Sequence, residues 1–238
     1  YGLEMVEKGG LNITTSLDLS FQEKSENIVK TEVAKDVNYN LTNGAALVTN
    51  PKNGDILAMV GSRDYENPEF GKVNLTTSLR QPGSSVKVIT YSAALIKGYT
   101  AATIINDSPT NFGNYAPVNY DGTFHGNVSL RIALANSINI PAVKTLQTVG
   151  IENMISLARN MGITTWNNPE KYGLSLTLGA AEVKMTDMAT AYGTLANEGD
   201  RVDLNPVLKI TDSQGQTVYE KKDILKTKVL DSGIAYII

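Results

Sequence analysis

Cysteine is absent from the 238 residues, so no disulfide framework and no thiolate metal site can form. Histidine occurs once, at His125, which removes a multi-histidine zinc site as well. Neither sign of charge dominates: 21 Lys and Arg stand against 24 Asp and Glu. With no basic cluster, a nucleic-acid surface has no electrostatic footprint. There is no run of about 18 apolar residues and no signal-peptide pattern. What is there is a chain 42 % hydrophobic, enough for a packed core in one large domain or two small ones.

The coarse pattern alternates helical and extended segments. Ser20-Phe21-Gln22-Glu23 has capping-box spacing, in which a hydroxyl and a carboxylate satisfy two orphan amides. Behind it Phe21, Ile28, Val29 and Val33 share one face, which predicts a helix over 21–35. Ala45–Val48 and Ile56–Val60 flank a Pro/Asn-Gly turn and predict a hairpin. Their near-continuous apolar character suggests a sheet covered on both faces. Residues 62–80 and 105–127 read as long polar loops. Helical stretches are expected at 84–97, 128–136, 141–149, 152–161 and 184–198, several closed by glycine. A second hairpin is expected around Ser213-Gln214-Gly215. The order implies an α+β fold, an antiparallel sheet packed against helices.

Ser84-Ser85-Val86-Lys87 carries the chemistry. Residues three apart on a helix are neighbours, so Ser84 and Lys87 can touch, while Ser85 points elsewhere. A serine hydroxyl needs a base to become a nucleophile, and a lysine serves only when its amine is neutral. Burial and a helix N-terminus both disfavour the ammonium. The same helix end presents free N–H groups suited to an oxyanion. By itself the four-residue pattern fits an ordinary capped helix with a surface lysine equally well. Ser137-Ile138-Asn139 lies between two predicted helices, where a loop can aim two short polar side chains into a cleft; helix capping is its bland alternative.

Arg80–Lys87 resembles the acylation motif of class A penicillin-binding proteins, and Ser137-Ile138-Asn139 is similar to that family's Ser-x-Asn motif. The resemblance extends to Leu11–Asp18, Asn50–Gly61, Asn119–Gly122, Leu130–Ser137, Asn139–Lys144 and Leu178–Val183. It implies the penicillin-binding protein/β-lactamase-like serine transpeptidase fold. Ser84 would be acylated, Lys87 would be its base and Ser137 would relay a proton to the leaving group. Asn139 would bind the substrate's peptide amide and hold Lys87. The implied reaction crosslinks peptidoglycan stem peptides at the extracytoplasmic face of the bacterial cytoplasmic membrane, without metal or organic cofactor. The implied partners are stem peptides and β-lactam antibiotics, with divisome or elongation proteins beside them. Nucleic acid is not expected.

The family's third motif, Lys-Thr/Ser-Gly, is missing: Lys144-Thr145 is followed by Leu146 and Lys226-Thr227 by Lys228. The start at Tyr1 and the stop within the apolar stretch ending at Ile238 read as cuts from a longer chain, truncated before the Lys-Thr-Gly strand. Residues 1–13 then read as a linker from an absent N-terminal glycosyltransferase and membrane anchor, and 14–238 as the transpeptidase domain. Two other classes remain open. One is a hydrolase, either a D,D-carboxypeptidase or a β-lactamase, which needs a water-activating group. The other is a non-catalytic β-lactam sensor or scaffold.

Overall fold

The computed structural model describes residues 2–238. The chain gathers into two compact units, one running through Ser78 and including Arg201–Thr227, the other comprising Leu79–Asp200 and Lys228–Ile238.

In the first unit, Asn12–Thr15, Val207–Thr211 and Thr217–Glu220 form an antiparallel sheet with Val207–Thr211 in the middle. The last two strands are the expected second hairpin. Within 1–13, Leu3–Lys8 is a short helix with no buried residue, and Asn12 and Ile13 already pair with Thr211 and Ile210. The helix predicted over 21–35 spans Leu19–Lys35. Its cap is not Ser20. Asp18, in an extended conformation, accepts from Ser20 N (2.9 Å) and Phe21 N (3.2 Å), which puts Ser20 inside the first turn. The side chain of Ser20 also donates to Asp18, and this bond and the Phe21 N–H hold the Asp18 carboxyl below its ordinary value. The hairpin Ala46–Asn50/Asp55–Val60 forms as expected, but one face is buried and the other only partly covered. Only Ile56, Ala58 and Val60 are buried, alternating along their strand, because one helix supplies Val29 and Val33 to a single face.

The second unit is built around the helix Lys87–Ile96, buried on nearly every side. Asn139–Val149 and Ile151–Asn160 pack against it. Ile89, Tyr91, Ala94, Leu146, Met154, Ile155 and Trp166 belong to this core. The expected loop over 105–127 is corrected at both ends. Ile104–Asp107 pairs antiparallel with Gly126–Ser129, which closes the long loop at its base. The predicted helix at 128–136 accordingly starts at Leu130, capped by Ser129. Trp166 anchors its loop from a fully buried position, donating to Glu182 O (3.3 Å). Asp187, in the first turn of the helix Met185–Ala196, is buried and accepts from Thr164 N (2.8 Å) and Oγ1 (2.7 Å). Helices packed with antiparallel sheets make the fold α+β. No helix among the described residues is long and apolar enough to cross a membrane.

Candidate active site

Ser84 does not sit in the α-helix proper. Gly83–Val86 is a 3-10 turn, and the α-helix begins at Lys87. In a 3-10 turn residues three apart eclipse, which keeps Ser84 and Lys87 on one side. The Lys87 N–H donates to Ser84 O and closes that turn. Gly83 has φ +58°, in the left-handed region where glycine is unhindered. Ser84 and Ser85 are both exposed. They differ in partners: Ser85 Oγ donates to Pro82 O (2.7 Å), whereas no hydrogen bond to another described residue holds Ser84 Oγ. Tyr192 Oη donates to Ser85 O (2.9 Å) and braces the turn from a second helix.

The turn is strapped from behind by a segment of distant sequence. Arg80 and Val183 exchange backbone hydrogen bonds (3.0 and 2.9 Å), and Gln81 Nε2 donates to Ala180 O (3.2 Å). Gly179, at φ +80°, lies flat against Gly83, and any Cβ there would run into the Gly83 backbone. Leu178–Val183 is thus the backing of the serine turn. Gly179→Ala is expected to cost about 2–4 kcal/mol, from left-handed strain plus overpacking. Urea unfolding of the variant checks this.

Lys87 is 1 % exposed. Its Nζ donates to Ser137 O, to Ser137 Oγ (3.1 Å) and to Asn139 Oδ1 (2.7 Å). Burial pulls the ammonium down to about 8. Ser137 reaches this position through the end of the helix Leu130–Ala135. Its N–H bonds Leu134 O (3.0 Å), and the next N–H bonds Ala133 O (2.9 Å), a Schellman arrangement. Ser137 takes the left-handed position, φ +53°, where glycine is usual. The following helix runs Asn139–Val149, starting earlier than the expected 141, with no side-chain cap from Ile138. Ser137 and Asn139, residue types that commonly cap helices, turn to Lys87 instead. Asn139 Nδ2 donates to Val118 O (2.9 Å), so one of its amide hydrogens is already engaged.

Ser137 and Asn139 therefore converge on the Nζ of Lys87, whose backbone follows Ser84 by one turn, all within the second unit. Lys144 and Thr145 offer no third motif: Lys144 Nζ donates to Asn106 O (2.7 Å), and Thr145 is buried on Pro141 O (2.7 Å). His125 pairs with Asp121 (3.1 Å) beside a cavity of about 350 Å³ that Ser137 also lines. Nothing in the local sequence assigns a site role to Asp107 or Tyr192, whereas Gly179 falls within Leu178–Val183, one of the stretches that resemble the family.

A family model described as the penicillin binding protein transpeptidase domain matches residues 44–232. The chain is 34 % identical over 200 residues to penicillin-binding protein 1A of Rickettsia felis, covering 81 % of this chain and 25 % of that protein. It is 32 % identical over 241 residues to penicillin-binding protein 2D of Bacillus subtilis, covering 98 % and 34 %. It thus spans a quarter to a third of the length of these curated relatives. The crystal structure of penicillin-binding protein 1A from Haemophilus influenzae is similar at a TM-score of 0.70 and 29 % identity, covering 82 % of this chain and 34 % of that one. The PonA1 protein of Mycobacterium tuberculosis in complex with penicillin V shares the fold, at a TM-score of 0.81 and 20 % identity, covering 99 % and 64 %. On the family match over most of its length and on these relatives, the chain belongs to the transpeptidase-domain family of penicillin-binding proteins, with the class A members.

Proposed function

We propose that this domain transfers acyl groups between peptidoglycan stem peptides through an ester on Ser84. The observation that carries the reading is the buried Lys87 amine clasped by Ser137 and Asn139 one turn from an exposed, unengaged serine hydroxyl. In the protonated state all three N–H bonds of Lys87 are used. Loss of one proton frees a lone pair and leaves two N–H groups for two of those acceptors. The lone pair takes the proton of Ser84 Oγ as the oxygen attacks the penultimate carbonyl of a D-Ala-D-Ala terminus. The C–N bond breaks, and Ser137 Oγ, in contact with Lys87 Nζ, passes the proton to the departing D-alanine nitrogen. An amine of a neighbouring stem peptide then attacks the ester, gives up its proton along the same path, and restores Ser84. Asn139 keeps one amide hydrogen and one lone pair for the substrate's peptide group. β-Lactams enter as mimics of the donor terminus and form a slow ester. The substrate fixes the setting as the extracytoplasmic face of the cytoplasmic membrane.

Incubating the complete protein with benzylpenicillin tests this. Intact mass is expected to rise by one penicillin, carried on the tryptic peptide Gln81–Lys87, and the adduct is expected to persist. Rapid release of opened penicillin would shift the reading to a hydrolase. An unmodified mass would overturn it.

A further inference from the structure

Behind Asn139 lies a buried polar pair with no role in the chemistry just described. Asp107 is 0 % exposed and Asn119 4 %. Burying a carboxylate is costly unless it is paired, and among the described residues no cation pairs with Asp107. It is satisfied by neutral donors alone: Asn119 Nδ2 lies 3.0 and 2.9 Å from its two oxygens, and His125 N donates at 2.8 Å. Asn119 Nδ2 also donates to Thr123 O (2.8 Å). With only acceptors around Nδ2, the amide has one orientation, because a flip would set its oxygen against a carboxylate and a carbonyl. Asn119 Oδ1 must therefore face the other way. There it accepts from Asn139 N (2.9 Å) and Ile140 N (3.3 Å).

Those two amides are the first of the helix Asn139–Val149, donors that have no intrahelical partner. The usual remedy is a Ser, Thr, Asp or Asn at the N-cap, but that position is Ile138 and gives nothing. The cap comes instead from a loop twenty residues away, oriented by a buried acid. That is a costlier device than a local cap, and it leaves Ser137 and Asn139 free to face Lys87. The loop also takes Asn139 Nδ2 through Val118 O. Backbone and side chain of Asn139 are thus gripped by adjacent residues, while its Oδ1 meets Lys87 Nζ.

We propose that Asp107 and Asn119 are positioning residues for the acyl transfer: through Asn139 they hold the Lys87 amine at the serine turn. The proposal rests on the function proposed above. Its test is the rate constant and final extent of labelling by a fluorescent penicillin, in the complete protein. Asp107→Asn exchanges one of the two oxygens facing Asn119 Nδ2 for an NH2 group, and Asn119→Asp sets two carboxylates against each other. Each is expected to lower the rate constant about 10- to 100-fold, the worth of a buried hydrogen bond to a charged group, while the fraction finally labelled stays near the parent's. The double variant Asp107→Asn/Asn119→Asp restores a donor facing an acceptor, while a carboxylate oxygen still meets Thr123 O, and is expected to recover part of that loss. Should Asn119→Asp yield no folded protein, Asn119→Ser removes the bridge and is expected to slow labelling equally. Single variants that label at the parental rate would overturn the proposal. So would a lower labelled fraction at an unchanged rate constant, which marks a structural role, or a double variant no faster than the product of the single effects. Failure of the parent itself to label would instead refute the acyl-transfer reading.

Discussion

Replacing Ser84 by alanine is expected to abolish covalent labelling by a fluorescent penicillin, while Ser85→Ala labels at close to the parental rate. Access does not separate the two serines, since both are exposed. Engagement does. Ser85 Oγ is committed to Pro82 O, within its own turn, and its carbonyl takes the Tyr192 hydroxyl. Ser84 Oγ has no such commitment and lies one 3-10 turn from the buried amine. An exposed serine changed to alanine alters stability by no more than about 0.5 kcal/mol, so lost labelling in Ser84→Ala reports chemistry and not unfolding. Thermal unfolding of Ser84→Ala at the parental temperature checks that. Labelling that survives in Ser84→Ala would remove Ser84 as the nucleophile.

Lys87→Met is expected to slow acylation about 10²- to 10⁴-fold, the usual worth of a positioned general base. Methionine keeps most of the volume and removes the proton acceptor. Two stability effects then oppose each other. Ser137 O and Asn139 Oδ1 lose a donor, at about 1–3 kcal/mol for each group left unsatisfied in the interior. Against this, a charged group no longer has to be buried. The parental enzyme adds a pH signature. Burial sets the Lys87 ammonium at about 8, so acylation is expected to rise with pH through a midpoint near that value. At pH 7 about a tenth of the amine is neutral. The sign for stability follows from the same displacement. Between about 8 and 10.5 the unfolded chain holds a proton that the folded one has lost. Folding stability from this group therefore rises with pH across that window and is lowest below it. Lys87→Met should lack both the acid limb of acylation and that component of stability. Stopped-flow acylation and urea unfolding over a pH series measure them. A rate independent of pH across the midpoint would sink the general-base role.

Much of the proposed site was legible because its signals are local. Ser84 and Lys87 lie three residues apart, and one turn of any helical backbone brings them to the same side. Ser137 and Asn139 stood in a short segment between two helical patterns; in the structure Ser137 lies between the helices and Asn139 opens the second. Secondary elements with strong periodicity or punctuation also emerged: the helix around Val29 and Val33, the hairpin at Asn53-Gly54, and the hairpin at Gly215. Most of the errors fall where a partner remote in sequence decides. Ile104–Asp107 is a strand only because Gly126–Ser129 returns beside it, and nothing in its four residues announces that pairing. Asp18 displaces Ser20 as cap because the chain enters the helix extended, which is a matter of backbone angles.

From its own residues the sequence determined the α+β class, the order of most elements, and a hydroxyl and an amine one turn apart. The tertiary structure alone decided which serine hydroxyl is unengaged, that Lys87 is buried and clasped from fifty residues away, and that Gly179 backs the turn. It alone set Asp107 and Asn119 behind Asn139. The reason is physical. Periodicity, caps and turns are written in short-range backbone energetics, whereas burial and the direction of a hydrogen bond depend on what the rest of the chain brings alongside.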